Sequence, residues 1–146
     1  MSAGVLADHP DVLDAFEQLG EAAWRTVDPV LLELCRLRVA TLLGCDAALD
    51  GRTEAARAAG LDEATVAALP AWPTSPLFGP AERACLAFTE QFVVDVAGMD
   101  DAVAAAVVEE LGPDGFRTFV TALLVVEQRQ RLHLAWSRLL GAEAEQ

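Results

Sequence analysis

A chain of 146 residues, 53% of them hydrophobic, is long enough to close a core without disulfides or metal and too apolar to stay disordered. Its 10 Lys+Arg stand against 23 Asp+Glu, a formal net charge of −13. A field of that sign repels phosphate backbones and anionic headgroups, so nucleic acid and membrane surfaces are poor partners. The opening residues Met1 to Asp8 have no basic flank and no apolar run of signal-peptide length. The strongest apolar run, Phe119 to Val126, is far too short to span a bilayer. The expectation is a cytoplasmic protein with reduced thiols, since Cys35, Cys45 and Cys85 cannot all pair within one chain. Two histidines, His9 and His133, are too few for a protein-only zinc cluster, so neither metal nor cofactor is expected.

Ala-rich segments at helical period, punctuated by Gly, Pro and Asp, predict an all-α fold of about six to seven helices in a single domain over residues 1–141. The first helix is expected from Asp11 to Trp24, with Val12, Leu13, Phe16, Leu19 and Ala23 as its apolar stripe. Asp28-Pro29 opens the second: Asp accepts from free N–H groups, and Pro at N1 loses nothing by lacking one. Gly44 ends it where a left-handed residue is expected. A third helix is expected from Cys45 or Asp46 to Gly60, and a short fourth from Asp62 to Leu69. Pro70, Pro73, Pro76 and Pro80 mark a connector, after which a fifth helix covers Ala81 to Val96. A sixth runs from Asp100 or Asp101 to Leu111, and Pro113 opens a long last helix to Leu140, followed by a frayed tail at 142–146.

The second helix carries the most information. Apolar residues from Val30 to Leu43 occupy nearly every side of it, which is the pattern of a helix buried in a larger core or an oligomer. Within it stands Glu33. An ionised carboxylate in such surroundings must be paired, hydrated or neutral. An intrahelical pair with Arg36 at i,i+3 weighs about equally with a functional carboxylate. Cys45 follows Gly44 and begins the next helix, where free N–H groups favour a thiolate. Asp46 opposes that, and taken alone a buried thiol is the better reading.

Together, Glu33-Leu-Cys-Arg-Leu-Arg-Val-Ala-Thr-Leu-Leu-Gly44-Cys45-Asp46 resembles the core motif of the alkylhydroperoxidase-D-like, or carboxymuconolactone decarboxylase, family. That motif is a Glu on one helix, then Cys-x-x-Cys-x-x-x-His opening the next. Downstream, the stretch Leu69 to Ala87, with Trp72, Ser75, Phe78, Glu82 and Arg83, is similar to a second family signature. The resemblance spans roughly Phe16 to Leu140. It implies the family's helical fold, trimers or hexamers, and a small-molecule substrate. The family's peroxidases attack with one cysteine and close a disulfide with the other, while Glu and His move protons. Here Ala48 stands at the second cysteine's place and Arg52 at the histidine's. Cys35 lies ten residues back, about 15 Å away on a straight helix, so two-thiol cycling is not expected.

Three readings follow. Glu33 serves as acid or base on a small organic substrate in an apolar pocket; the chain is a catalytically silent ligand-binding or assembly protein; or Cys45 acts alone as a thiol enzyme or sensor. The first, a decarboxylase, isomerase or lyase type, ranks slightly ahead. Arg52 is either an anchor for a substrate carboxylate or, the better reading, a surface partner of Asp50 or Glu54. Trp72 lines a pocket mouth or, more simply, anchors packing. His133 carries protons only if it shares a cavity with Glu33.

Overall fold

The computed structural model describes residues 8–144, with side chains to Arg138. It is all-α. Helix α1 (Pro10–Thr26) leads to α2 (Pro29–Leu43), and the short helices α3 (Asp46–Leu49), α4 (Glu54–Ala58) and α5 (Glu63–Ala68) follow. A 3-10 turn at Leu69–Ala71 enters the proline connector, and α6 (Pro80–Asp95) leads to α7 (Asp101–Ala144). α7 is broken by non-helical backbone at Gly112, with φ 74° and ψ 168°. The break falls where Pro113 called for a new helix, and a glycine is the residue that takes this φ without strain. Of the tail expected to fray from Ala142, the backbone to Ala144 continues α7, and Glu145 and Gln146 lie outside the described residues.

Helix α2 begins and ends as its sequence dictates. Asp28 Oδ1 accepts from Leu31 N at 2.8 Å, and Gly44 turns left-handed at φ 69°. Cys45 N then donates back to Ala40 O at 2.9 Å, closing the helix in the manner of a Schellman turn. Packed by α6, α7, α3 and α4, α2 is the central helix of the fold. Its Leu34, Cys35, Leu37 and Val39 meet Cys85, Leu86 and Phe88 of α6 and Val107, Phe119 and Leu123 of α7. Phe88 makes ring contacts with Phe92, Phe116 and Phe119 at centroid distances of 5.6 to 5.9 Å. Each such buried side chain contributes about 1.5–3 kcal/mol of transfer free energy. A helix apolar on every side is therefore covered within one chain, and the oligomer inferred from that pattern loses its stated reason.

Two expectations are corrected. The third helix does not run unbroken to Gly60, because residues 50–53 leave the helix between α3 and α4. Arg36 takes the carbonyl oxygens of Ala48 and Gly51 there, at 2.7 and 2.9 Å, and Thr53 caps α4 by accepting from Ala56 N at 3.4 Å. The stripe of α1 is also only partly used. Val12 and Leu19 remain 50% and 44% exposed, while Gly20 and Ala23 are buried.

The connector is held from α6. Glu82 Oε2 accepts from Gly79 N at 2.7 Å, completing the start of that helix. Arg83 donates to the carbonyl oxygens of Trp72, Pro73, Ser75 and Phe78. Proline-rich backbone has few N–H donors of its own, and one guanidinium gathers the carbonyls into a fixed loop.

Candidate functional site

A cavity of about 650 Å³ opens between α1, the Cys45 turn and α7. From α1 it takes Glu17, Gly20, Glu21, Trp24 and Arg25, residues at i, i+3 and i+4 spacing that share one helix face. The far wall is Val126, Arg129, Gln130 and His133 of α7, and the floor includes Arg36, Cys45, Ala48 and Thr53. The volume lies within the range of small-molecule sites.

Arg129 fastens α1 over this space. Its Nη1 donates to Phe16 O at 3.1 Å, its Nη2 reaches both carboxylate oxygens of Glu17 at 3.3 Å, and the guanidinium lies 4.7 Å from the Phe16 ring centre. Gly20 makes room for that crossing, since a Cβ there would sit 2.5 Å from Arg129 Nη1.

Behind the floor is Glu33, 0% exposed and absent from the cavity lining. Arg36 grips it with Nε to Oε2 at 2.9 Å and Nη2 to Oε1 at 2.7 Å. Thr53 adds its N–H to Oε1 at 3.1 Å and its hydroxyl to Oε2 at 3.0 Å. The carboxylate thus accepts two hydrogen bonds at each oxygen, which fills its acceptor capacity. Such a group is a satisfied buried carboxylate, and the two donors from Thr53 tie α2 to the loop before α4.

Of the residues singled out in the sequence, Cys45 and His133 are brought to one cavity. Cys45 is 1% exposed, at the cavity floor, and His133 is half-buried, with Ser137 Oγ 3.4 Å from its Nε2. Arg52 is turned away: it makes a two-pronged pair with Glu63 at 3.0 and 3.1 Å and donates to Leu49 O and Gly51 O. Its partner is Glu63, eleven residues on, where Asp50 or Glu54 was expected. Trp72 packs against the main core and donates its indole N–H to Glu90 Oε1 at 2.8 Å, an oxygen shared with Arg38. Arg36, Gln130 and Arg129 were missed as cavity residues. In the sequence Arg36 reads as a partner for Glu33, and nothing local to α7 marks Arg129 or Gln130 as facing a cavity.

The other thiols belong to the core. Burial pushes Cys35 up to about 12, and burial followed by the nearby Cys35 raises Cys85 further. Among the described residues no group of three or more His, Cys, Asp or Glu could hold a metal ion. No helix among them is long and apolar enough to cross a membrane.

Residues 10–91 match the profile of the carboxymuconolactone decarboxylase family. The chain belongs to that family. No curated protein matches the sequence. Among solved structures, a protein of unknown function from Agrobacterium tumefaciens, provisionally described as an antioxidant-defence AhpD protein, is similar with a TM-score of 0.79. The two share 18% identity over 90% of this chain and 91% of that one. At that identity the likeness speaks for the fold, which is the alkylhydroperoxidase-D-like one. The matched span holds all of α1 and α2, both motif regions and the first part of α6; the α7 wall of the cavity lies outside it.

Proposed function

We propose that this carboxymuconolactone decarboxylase-family chain binds a small organic molecule in the cavity beside Cys45 and does not run a two-thiol peroxidase cycle. The observation that carries this is the pairing of an open cavity with a withdrawn Glu33. Cys45 and Ala48 line that cavity, so the place of the family's second thiol holds only a methyl group. Acid–base catalysis by Glu33, ranked first from the sequence, asks a carboxylate with four donors to release at least one of them and reach past Arg36 or Thr53. Within this reading Glu33 is a positioning residue that holds the cavity floor. A cytoplasmic location and assembly into a trimer or hexamer remain parts of the proposal. The exposed Val12, Leu19, Leu77, Val94, Val96 and Leu124 are available for assembly, and a monomer by light scattering at micromolar concentration would refute it.

The test is saturable binding of the uncharged dye Nile red, followed by fluorescence. Wild type should bind at one site, and Ala48→Trp, which fills the floor, should abolish binding while leaving the helical circular dichroism unchanged. Equal binding by both proteins sinks the reading.

One observation favours a second reading: Cys45 is the thiol on the cavity wall, while Cys35 and Cys85 sit in the core. A one-cysteine enzyme or sensor resolved by an external thiol would use it. N-Methylmaleimide should then modify Cys45 in the native protein long before the other two. Uniform, slow labelling of all three counts against this second reading.

A further inference from the structure

The chemistry of the cavity wall narrows the ligand, given the binding reading above. We propose that the molecule taken up is uncharged, with a hydroxyl or primary amide head received by Gln130 and Arg36 and an apolar body lying along Trp24 and Val126.

Gln130 is 6% exposed and forms part of the wall. Its Nε2 donates to Arg36 O at 2.9 Å. A carbonyl oxygen needs a donor, so this contact decides which end of the carboxamide is nitrogen. The other end, Oε1, is buried without a partner, and it is the one such side-chain atom among the described residues. Folded proteins rarely leave a buried acceptor in that state, and its natural complement is an O–H or N–H brought from outside the chain.

Arg36 offers the opposite polarity nearby. Four of its five N–H groups are committed, to both oxygens of Glu33 and to the carbonyls of Ala48 and Gly51. The fifth, on Nη1, is uncommitted in a residue that also lines the cavity. An acceptor in the wall and a donor in the floor of the same cavity suit a group that is both, as a hydroxyl or a primary amide is.

Charge argues against an acid. Arg36 is paired with Glu33, Arg129 with Glu17 and Arg25 with Glu21, and Glu54 adds a further carboxylate to the lining. Even a protonated His133 only brings these charges to zero. A carboxylate ligand would leave water for a lining whose arginines each already face a carboxylate. The remaining wall, with Trp24, Val126, Ala47, Ala48 and Ala55, is apolar.

Three naphthalene probes test this on the full chain by titration calorimetry or by quenching of tryptophan fluorescence. 2-Naphthol should bind about ten-fold more tightly than 2-methoxynaphthalene, which lacks the donor, and more tightly than 2-naphthoate. In Gln130→Met the naphthol should fall to the affinity of the methyl ether, with the ether itself changed by no more than about two-fold. That second comparison shows the cavity intact. Equal affinity of naphthol and ether for wild type, or preferential binding of naphthoate, overturns this inference and leaves cavity binding standing. Failure of all three probes to bind, together with failure of Nile red, overturns both. The wild-type comparison decides the matter even where the variant does not fold.

Discussion

Arg36 holds Glu33 from three residues along the same helix, and the same guanidinium reaches out of the helix to the carbonyls of Ala48 and Gly51. One side chain thus neutralises a fully buried carboxylate and folds the α3–α4 loop onto α2. The carboxylate in turn orders Thr53, whose hydroxyl caps α4. Catalytic availability and structural satisfaction compete for the same oxygen lone pairs, and here the structural donors occupy them.

Breaking that pair should be costly in one direction. Arg36→Met strands a buried anion and is expected to destabilise the fold by about 3–5 kcal/mol. Glu33→Gln keeps one acceptor oxygen and turns its NH2 toward two of the four donors. The Arg36 left unpaired is partly exposed, so this change should cost less, about 1–3 kcal/mol. Urea unfolding measures both. The double variant should fall well short of the sum, because the two residues share one network. Strict additivity would show that the contact is not energetically coupled.

Arg83 is expected to be irreplaceable by lysine. Its planar fork serves four carbonyls of the connector at once, and an ammonium on a flexible stem cannot span them. Arg83→Lys should lose about 2 kcal/mol of stability, and limited proteolysis should cut sooner between residues 73 and 78. Unchanged cleavage there would show that the prolines alone hold the loop.

Alkaline pH isolates the core thiols. The chain has no tyrosine and no lysine, all ten of its Lys+Arg being arginine, so few groups other than thiols titrate between pH 9 and the arginines. Cys35 rises from 9.0 to about 12 on folding because burial disfavours its thiolate, and Cys85 is raised as well. The folded state therefore holds protons that the unfolded state releases. Stability is intact below pH 9 and falls as pH climbs from there toward about 12, by up to ~1.4 kcal/mol per pH unit for each thiol. Urea midpoints across this range should slope downward in wild type and flatten in Cys35→Ala/Cys85→Ala. A flat wild-type profile would count against the buried placement of these sulfurs.

Much of the fold was legible because local rules decide it. Asp28-Pro29 and Gly44 bound α2 through capping and backbone conformation alone. The prolines from Pro70 to Pro80 exclude α-helix by sterics, and Gly112-Pro113 breaks α7 for the same local reason. The family resemblance was equally a matter of residue order, with Glu33 and Cys45 at their spacing, and residues 10–91 bear it out.

What the sequence by itself determined is therefore most of the helices, the family and the absence of a second thiol at position 48. Tertiary structure alone decided the rest, because the deciding partners lie far apart in the chain. The break at residues 50–53 depends on Arg36 and Glu33, fifteen to twenty residues away. Arg52 turns to Glu63, eleven positions on, and Gln130 meets the backbone of Arg36 across 94 positions. A carboxylate's neighbours along the chain do not reveal whether its oxygens face a cavity or four donors. That depends on which helices pack around it, and packing turned Glu33 to Arg36 and Thr53 and left the cavity to Cys45, Gln130 and His133.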